Sequence, residues 1–172
     1  MMRITLIIFL SVFILSCKNE NQPSAPVETN TSTQIEYIEN KLPPLGQEVF
    51  DTLFKNTTFI DYIWHDLPFS VSQTEPEAVR TNVTFISANG INKVPKNCKS
   101  IGRKSYQFNG DIYLDADIYY GEGCAYYIFI KDNKPVYLNA ITEEGQKFYA
   151  NLIQSGMQQR QKVIEEVTKG SN

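Results

Sequence analysis

The chain holds a single histidine, His65, and three cysteines, Cys17, Cys98 and Cys124, in 172 residues. That is too thin a supply of soft ligands for a structural zinc site, which wants four, and no metal is expected. There is no G-x-S-x-G elbow and no glycine-rich phosphate loop. Gly121 and Gly123 fall between two strand-like stretches and do not precede a helix. No cofactor is implied. Charge of one sign is also missing. Sixteen Lys and Arg against nineteen Asp and Glu leave a net charge of −3, without the basic stripe of a nucleic-acid binder. No apolar run approaches the roughly 20 residues that a membrane-spanning helix needs.

What is present is a chain 42% hydrophobic and 20% charged, enough for one ordinary domain. Its longest apolar stretch, Ile4 to Leu15, follows Arg3 and ends at Ile14-Leu15-Ser16-Cys17. A positive residue and a short apolar core read as a secretory leader. The four residues that close it resemble the lipobox of bacterial lipoproteins. That resemblance implies cleavage of residues 1–16 and acylation of Cys17, leaving a mature chain near −4. Two or three acyl chains on Cys17 would hold a water-soluble domain on a membrane, at about 0.8 kcal/mol per buried CH₂. Lys18-Asn19-Glu20 follows. The position after the cysteine is not the aspartate that retains such proteins at the inner membrane of enteric bacteria, so outer-membrane anchoring is the expectation, facing the periplasm or the surface. The whole chain looks similar to the small envelope lipoproteins of Bacteroidetes, a resemblance carried by the leader and residues 17–20.

After Cys17 the stretch "KNENQPSAPVETNTSTQ" has almost nothing to bury. Residues 17–44 therefore read as the lipidated cysteine and a disordered tether, closed by Pro43-Pro44 and with a coil span of roughly 30 Å. A single domain is expected over 45–157, with a polar tail over 158–172. Val49, Phe50, Leu53 and Phe54 predict a helix over 46–55. The stretch 57–65 fits either period, and its aromatic and β-branched residues favour a strand. Thr74 as cap, with Glu75, Pro76 and Glu77 in the first turn, predicts a helix over 74–87. Phe148, Tyr149, Leu152, Ile153 and Met157 predict a last helix over 142–157, with a helical, exposed continuation into the tail.

Residues 100–141 read as a meander. Ile112, Leu114, Ala116, Ile118 and Tyr120 alternate with Asp111, Tyr113, Asp115, Asp117 and Tyr119, the period of a half-buried strand. A plain Asn109-Gly110 turn would set polar residues against the apolar face. A three-residue loop with a glycine bulge instead pairs Tyr106 with Ile112 or Leu114, and Arg103 with Asp115 or Asp117. The fold expected is α+β: an antiparallel meander of four to five strands packed with about three helices.

Cys98 and Cys124 are an even pair in an exported chain, so a disulfide is expected, with two buried thiols as the alternative. His65 and Asp66 lack a recognisable nucleophile partner. Asp115, Asp117 and Glu122 could in principle share a cation or work as acid and base. Arg103 and Lys104 nearby favour a solvated face with cross-strand ion pairs. Seven of the ten tyrosines fall between 106 and 137. Tyr113, Asp115, Asp117 and Tyr119 form the candidate ligand face, open to a glycan, a peptide or a protein unless a helix covers it. The expected function is a lipid-anchored, non-catalytic binding or assembly module of the envelope. It would meet membrane lipid through acylated Cys17, and an envelope protein or glycan through the face. An envelope hydrolase using the acidic face, and a structural or inhibitor-like accessory protein, are the alternatives.

Overall fold

The computed structural model describes residues 35–170. The leader, Cys17 and most of the expected tether lie outside them. In chain order the elements are β1 (Tyr37–Glu39), α1 (Gln47–Asn56), β2 (Phe59–Trp64), β3 (Ser70–Gln73), α2 (Pro76–Val83), β4 (Ile86–Gly90), β5 (Lys93–Pro95), β6 (Ser100–Phe108), β7 (Asp111–Gly121), β8 (Cys124–Lys131), β9 (Lys134–Ile141) and α3 (Glu143–Gly170). The class is α+β, as expected. The sheet is larger than expected: seven antiparallel strands in the order β3-β2-β6-β7-β8-β9-β4, with a separate two-stranded sheet of β1 and β5.

The four meander strands, β6 to β9, are those the alternation predicts. Each is joined to the next by two residues with positive φ: Asn109-Gly110, Glu122-Gly123 and Asp132-Asn133. Turns of that hand match the right-handed twist of the strands they join. The Asn109-Gly110 turn is thus the plain one, contrary to expectation, with Phe108 paired to Asp111. The bulge sits further in. Between Gln107↔Ile112 and Tyr106↔Leu114, Tyr113 is the extra residue. It restores the register that burial demands, so Arg103 pairs with Asp117 as expected. It also turns Ile112 out of the core, leaving it 61% exposed.

The sheet grows at both edges. The stretch around 57–65 is a strand, β2, paired with β6 on one side and with β3 on the other. On the far edge the expected helix 74–87 stops at Val83, and Ile86 begins β4, paired with β9. Its two ends obey different periods. Val79 and Val83 are helix-spaced, whereas Ile86 pairs directly with Ile141. The last helix runs on past 157 to Gly170, the helical continuation expected of the tail.

All three helices cover one face. Leu53 of α1, Val79 and Val83 of α2 and Tyr149 of α3 join Ile60, Tyr62, Tyr106, Leu114, Ala116, Ile118, Tyr127 and Phe129 of the sheet in one core. Tyr149 is its hub. Its ring lies 5.4–6.5 Å from those of Tyr62, Trp64, Tyr120, Tyr127 and Phe148, and its hydroxyl meets that of Tyr127 at 2.8 Å. Pairing two buried hydroxyls removes most of the cost of burying them. Gly102 lets β2 come close, since a Cβ there would lie 2.6 Å from the Ile63 carbonyl oxygen.

The other face is half covered, and the cover comes from residues expected to belong to the tether. Asn40 holds the carbonyls of Leu42 and Ile91 at 2.8 Å each, and the Leu138 amide donates to the Pro43 carbonyl at 3.0 Å. Just beyond this segment, on the helix-covered side, the buried Asn139 accepts from the Leu45 amide at 2.7 Å and donates to the Ser87 carbonyl at 2.9 Å. Residues 35–44 are therefore bound down. They and the β5 segment close a second cluster of Val94, Cys124, Tyr126 and Leu138 over the β8–β9 half of the sheet.

Candidate functional site

Among the described residues, the remaining half of that outer face, over β3, β2, β6 and β7, carries no helix. Two rows of polar side chains cross it. Ser72 donates to Asp61 at 2.7 Å, Asp61 stands opposite Ser105, and Ser105 donates to Asp115 at 2.6 Å. One row along, Ile63 stands opposite Arg103, whose Nε donates to Asp117 Oδ1 at 2.7 Å. These positions share a face because strand residues two apart point the same way. The hydrogen bond to Asp117 raises the Arg103 pKa, against partial desolvation. The pair is partly open, with side-chain exposures of 41% for Arg103 and 20% for Asp117.

Aromatic rings bound the strip on one side only. The bulged Tyr113 turns to the covered face, where it packs against the main core and stacks on Phe108 with centroids 4.3 Å apart, with Lys131 Nζ 5.0 Å from its ring. Tyr119 stacks on Tyr126 at 4.6 Å and packs with the second cluster. Burial, and then the neighbouring Asp117, raise the Tyr119 pKa; burial first, and then Tyr119, push Tyr126 up to about 12. The expected ligand face is therefore divided. Asp115 and Asp117 lie on the open strip, Tyr119 forms part of the wall beside it, and the bulge turns Tyr113 to the opposite face, where it packs with Phe108 against the main core.

The other candidates lie apart. His65 is exposed at the end of β2, its Nδ1 2.9 Å from the Ser100 carbonyl oxygen, next to an exposed Asp66. Glu122 sits in the β7–β8 turn, five residues beyond Asp117 and so roughly 16 Å along the strand. It lines a cleft of about 440 Å³ with Asn97, Lys99 and the Cys98 and Cys124 pair. No group of three acidic, histidine or cysteine side chains that could hold a metal ion occurs among the described residues. Cys98 and Cys124 stand at disulfide distance, with S–S 1.95 Å and Cα–Cα 5.9 Å, joining the approach to β6 to the start of β8. Among the described residues no helix is long and apolar enough to cross a membrane.

One placement overturns an expectation. Lys104 does not join Arg103 beside the aspartates. It shares the parity of Gly102 and Tyr106 and is wholly buried on the helix-covered face. Its Nζ lies 4.1 Å from the Tyr127 ring centroid and 5.0 Å from that of Tyr106, with no hydrogen-bond partner among the described residues. Burial pushes its pKa well below the ordinary lysine value. Strand parity alone gave the signal for this.

Comparison with family models, with curated proteins and with solved structures finds no match to this chain.

Proposed function

We propose that this chain is a lipid-anchored protein of the cell envelope, held at the outer membrane through acylated Cys17, and that it is a non-catalytic module docking an envelope protein or glycan. The anchor rests on Ile14-Leu15-Ser16-Cys17 and the apolar leader before it. The disulfide spacing of Cys98 and Cys124 accords with an oxidising compartment.

The observation that carries the docking role is the open strip of Asp61, Arg103, Ser105, Asp115 and Asp117. All three helices cover the opposite face, and the folded-down segment stops short of this strip. Its carboxylates and hydroxyls are held in fixed positions by one another, and Tyr119 offers an amphipathic ring at the margin. A flat, polar, pre-ordered surface with an aromatic edge suits an extended polar partner. The aspartates are occupied by serine and arginine, and His65 stands apart from them, so the geometry supports docking better than hydrolysis.

The test is affinity capture from native envelopes with tagged full chain, an Asp115→Asn/Asp117→Asn variant, and Cys17→Ala. The anchor reading requires Cys17→Ala to leave the membrane fraction, and retention there counts against it. The docking reading requires the face variant to stay on the membrane and to lose whatever the parent captures. Equal capture by both counts against the face.

A further inference from the structure

Residues 91–99 cross the outer face as a strap. They leave β4, the last strand of the sheet, and return to β6 by passing over β9, β8 and β7. Both ends are fixed at nearly one level. Gly90 stands opposite Asn139, and Ser100 is level with Ala140 through Tyr119 and Tyr126. Four strand spacings separate the ends, about 19 Å. The ten steps of chain from Gly90 to Ser100 could span roughly 34 Å, slack enough to bow off the sheet by about 14 Å. What holds the strap down is narrow. Its backbone pairs with Tyr37–Glu39 and meets Glu36 and Asn40. Among the described residues no hydrogen bond joins it to the strands beneath. Ile91 and Val94 join Tyr126 and Leu138 in the second cluster, and Cys98 stands at disulfide distance from Cys124. The main core lies on the other face and includes nothing from residues 91–99.

We propose that the bond between Cys98 and Cys124 is a redox latch: reduction by a dithiol frees the strap and uncovers Tyr126, Ile128 and Leu138, while the seven-stranded sheet stays folded. The pair opens on the cleft of about 440 Å³ that Asn97, Lys99 and Glu122 line. Cys98 is half-buried and Cys124 is 7% exposed, so an incoming thiolate meets the Cys98 sulfur first. It bonds to that sulfur, the S–S bond breaks, and Cys124 leaves as a thiolate and takes up a proton. The second thiol of the reductant then displaces Cys98 as a thiol. Two electrons and two protons reach the protein, and the dithiol becomes a disulfide. With the latch gone, the cover rests on a small apolar cluster and on the hydrogen bond between Pro43 and Leu138. Segments with so few buried contacts open first. The surface they bare adjoins the polar strip, since Ile128 pairs with Asp117. The latch depends on neither the lipid anchor nor the docking reading.

The full chain carrying Cys17→Ala, whose remaining cysteines are the pair, tests it. As purified it should show no free thiol, and two after dithiothreitol. Trypsin should then cut after Lys93 and Lys96 about tenfold faster than before reduction, because cleavage tracks the population of the open form. Anilinonaphthalene sulfonate, which reports apolar surface, should brighten. Trp64 lies in the main core, so its emission maximum should not move, and far-ultraviolet circular dichroism should hold. Cys98→Ser/Cys124→Ser should be cut at the fast rate with or without the dithiol. Two free thiols before reduction overturn the proposal, since there is then no latch. Equal cleavage before and after reduction, or a double variant as resistant as the oxidised chain, shows that the bond does not hold the strap. A Trp64 emission that shifts red as cleavage accelerates makes the release a global unfolding and overturns it too.

Discussion

The Nζ atom of Lys104 lies 4.1 Å from the centre of the Tyr127 ring, inside the core and without a hydrogen-bond partner among the described residues. Tyr62 of β2, Tyr106 of β6, Tyr127 of β8 and Tyr149 of α3 are the titratable groups of the surrounding core. The ring faces attract a cation, but no carboxylate offsets the desolvation, and burial is what drives the lysine pKa down. Lys104→Met keeps the stem's volume and removes the amine. It should stabilise the fold by about 1–4 kcal/mol near neutral pH, the range seen when buried charges give way to packed apolar groups. Urea unfolding of the two proteins checks this.

The same lysine predicts a pH dependence with a definite sign. Its folded-state pKa lies below the unfolded value of 10.5, so between the two the unfolded chain binds more protons. Stability should therefore rise with pH across that window. The buried Tyr62, Tyr106, Tyr127 and Tyr149 act oppositely. Burial raises their pKa values above 10.0, so their contribution is complete below that point and is lost as pH climbs past it. Unfolding free energy should climb towards about pH 10 and then fall. In Lys104→Met the climb should vanish and the fall remain.

Gly102→Ala should cost about 1–3 kcal/mol, as strained insertions do. The added Cβ would lie 2.6 Å from the Ile63 carbonyl oxygen and 3.1 Å from the Trp64 Cα, both backbone atoms that cannot swing away. A fall in the thermal midpoint with retained circular dichroism would be the signature.

Cys98→Ser/Cys124→Ser should lose about 3–4 kcal/mol in the chain-entropy account of a loop this long, given the sequence separation of 26. Reduction of the parent with dithiothreitol should reproduce the loss in a denaturant titration.

Arg103→Ala should change stability by less than about 1 kcal/mol, because its partly exposed ion pair is worth little. If capture from envelopes, in the assay of the proposed docking role, nevertheless falls, the residue serves docking and not folding. Thermal unfolding and capture measured on one preparation separate the two roles.

Much of this architecture is legible in the residues because burial imposes a period. The alternation from Ile112 to Tyr120 marks β7, and the aromatic and β-branched run from Phe59 to Trp64 marks β2. The pairings Tyr106↔Leu114 and Arg103↔Asp117 follow from keeping one face apolar. What escaped has equally physical reasons. Ser70–Gln73 and Ile86–Gly90 are short edge strands with little to bury, so neither carries a pattern. Tyr37–Glu39 is exposed throughout, and backbone pairing with Lys93–Pro95 orders it, a long-range event that composition does not encode. The bulge at Tyr113 could be placed in the loop or in the strand with the same effect on register. The face was readable as polar, but its half cover was not, since the covering residues 35–44 have the composition of a linker.

Intact-mass analysis of the protein extracted from the membranes of the cells that make it tests the central claim most directly. The account predicts a chain beginning at Cys17, heavier by its acyl groups, and lighter by two hydrogens for the Cys98–Cys124 bond. A product that retains residues 1–16, or begins elsewhere with an unmodified terminus, would contradict it.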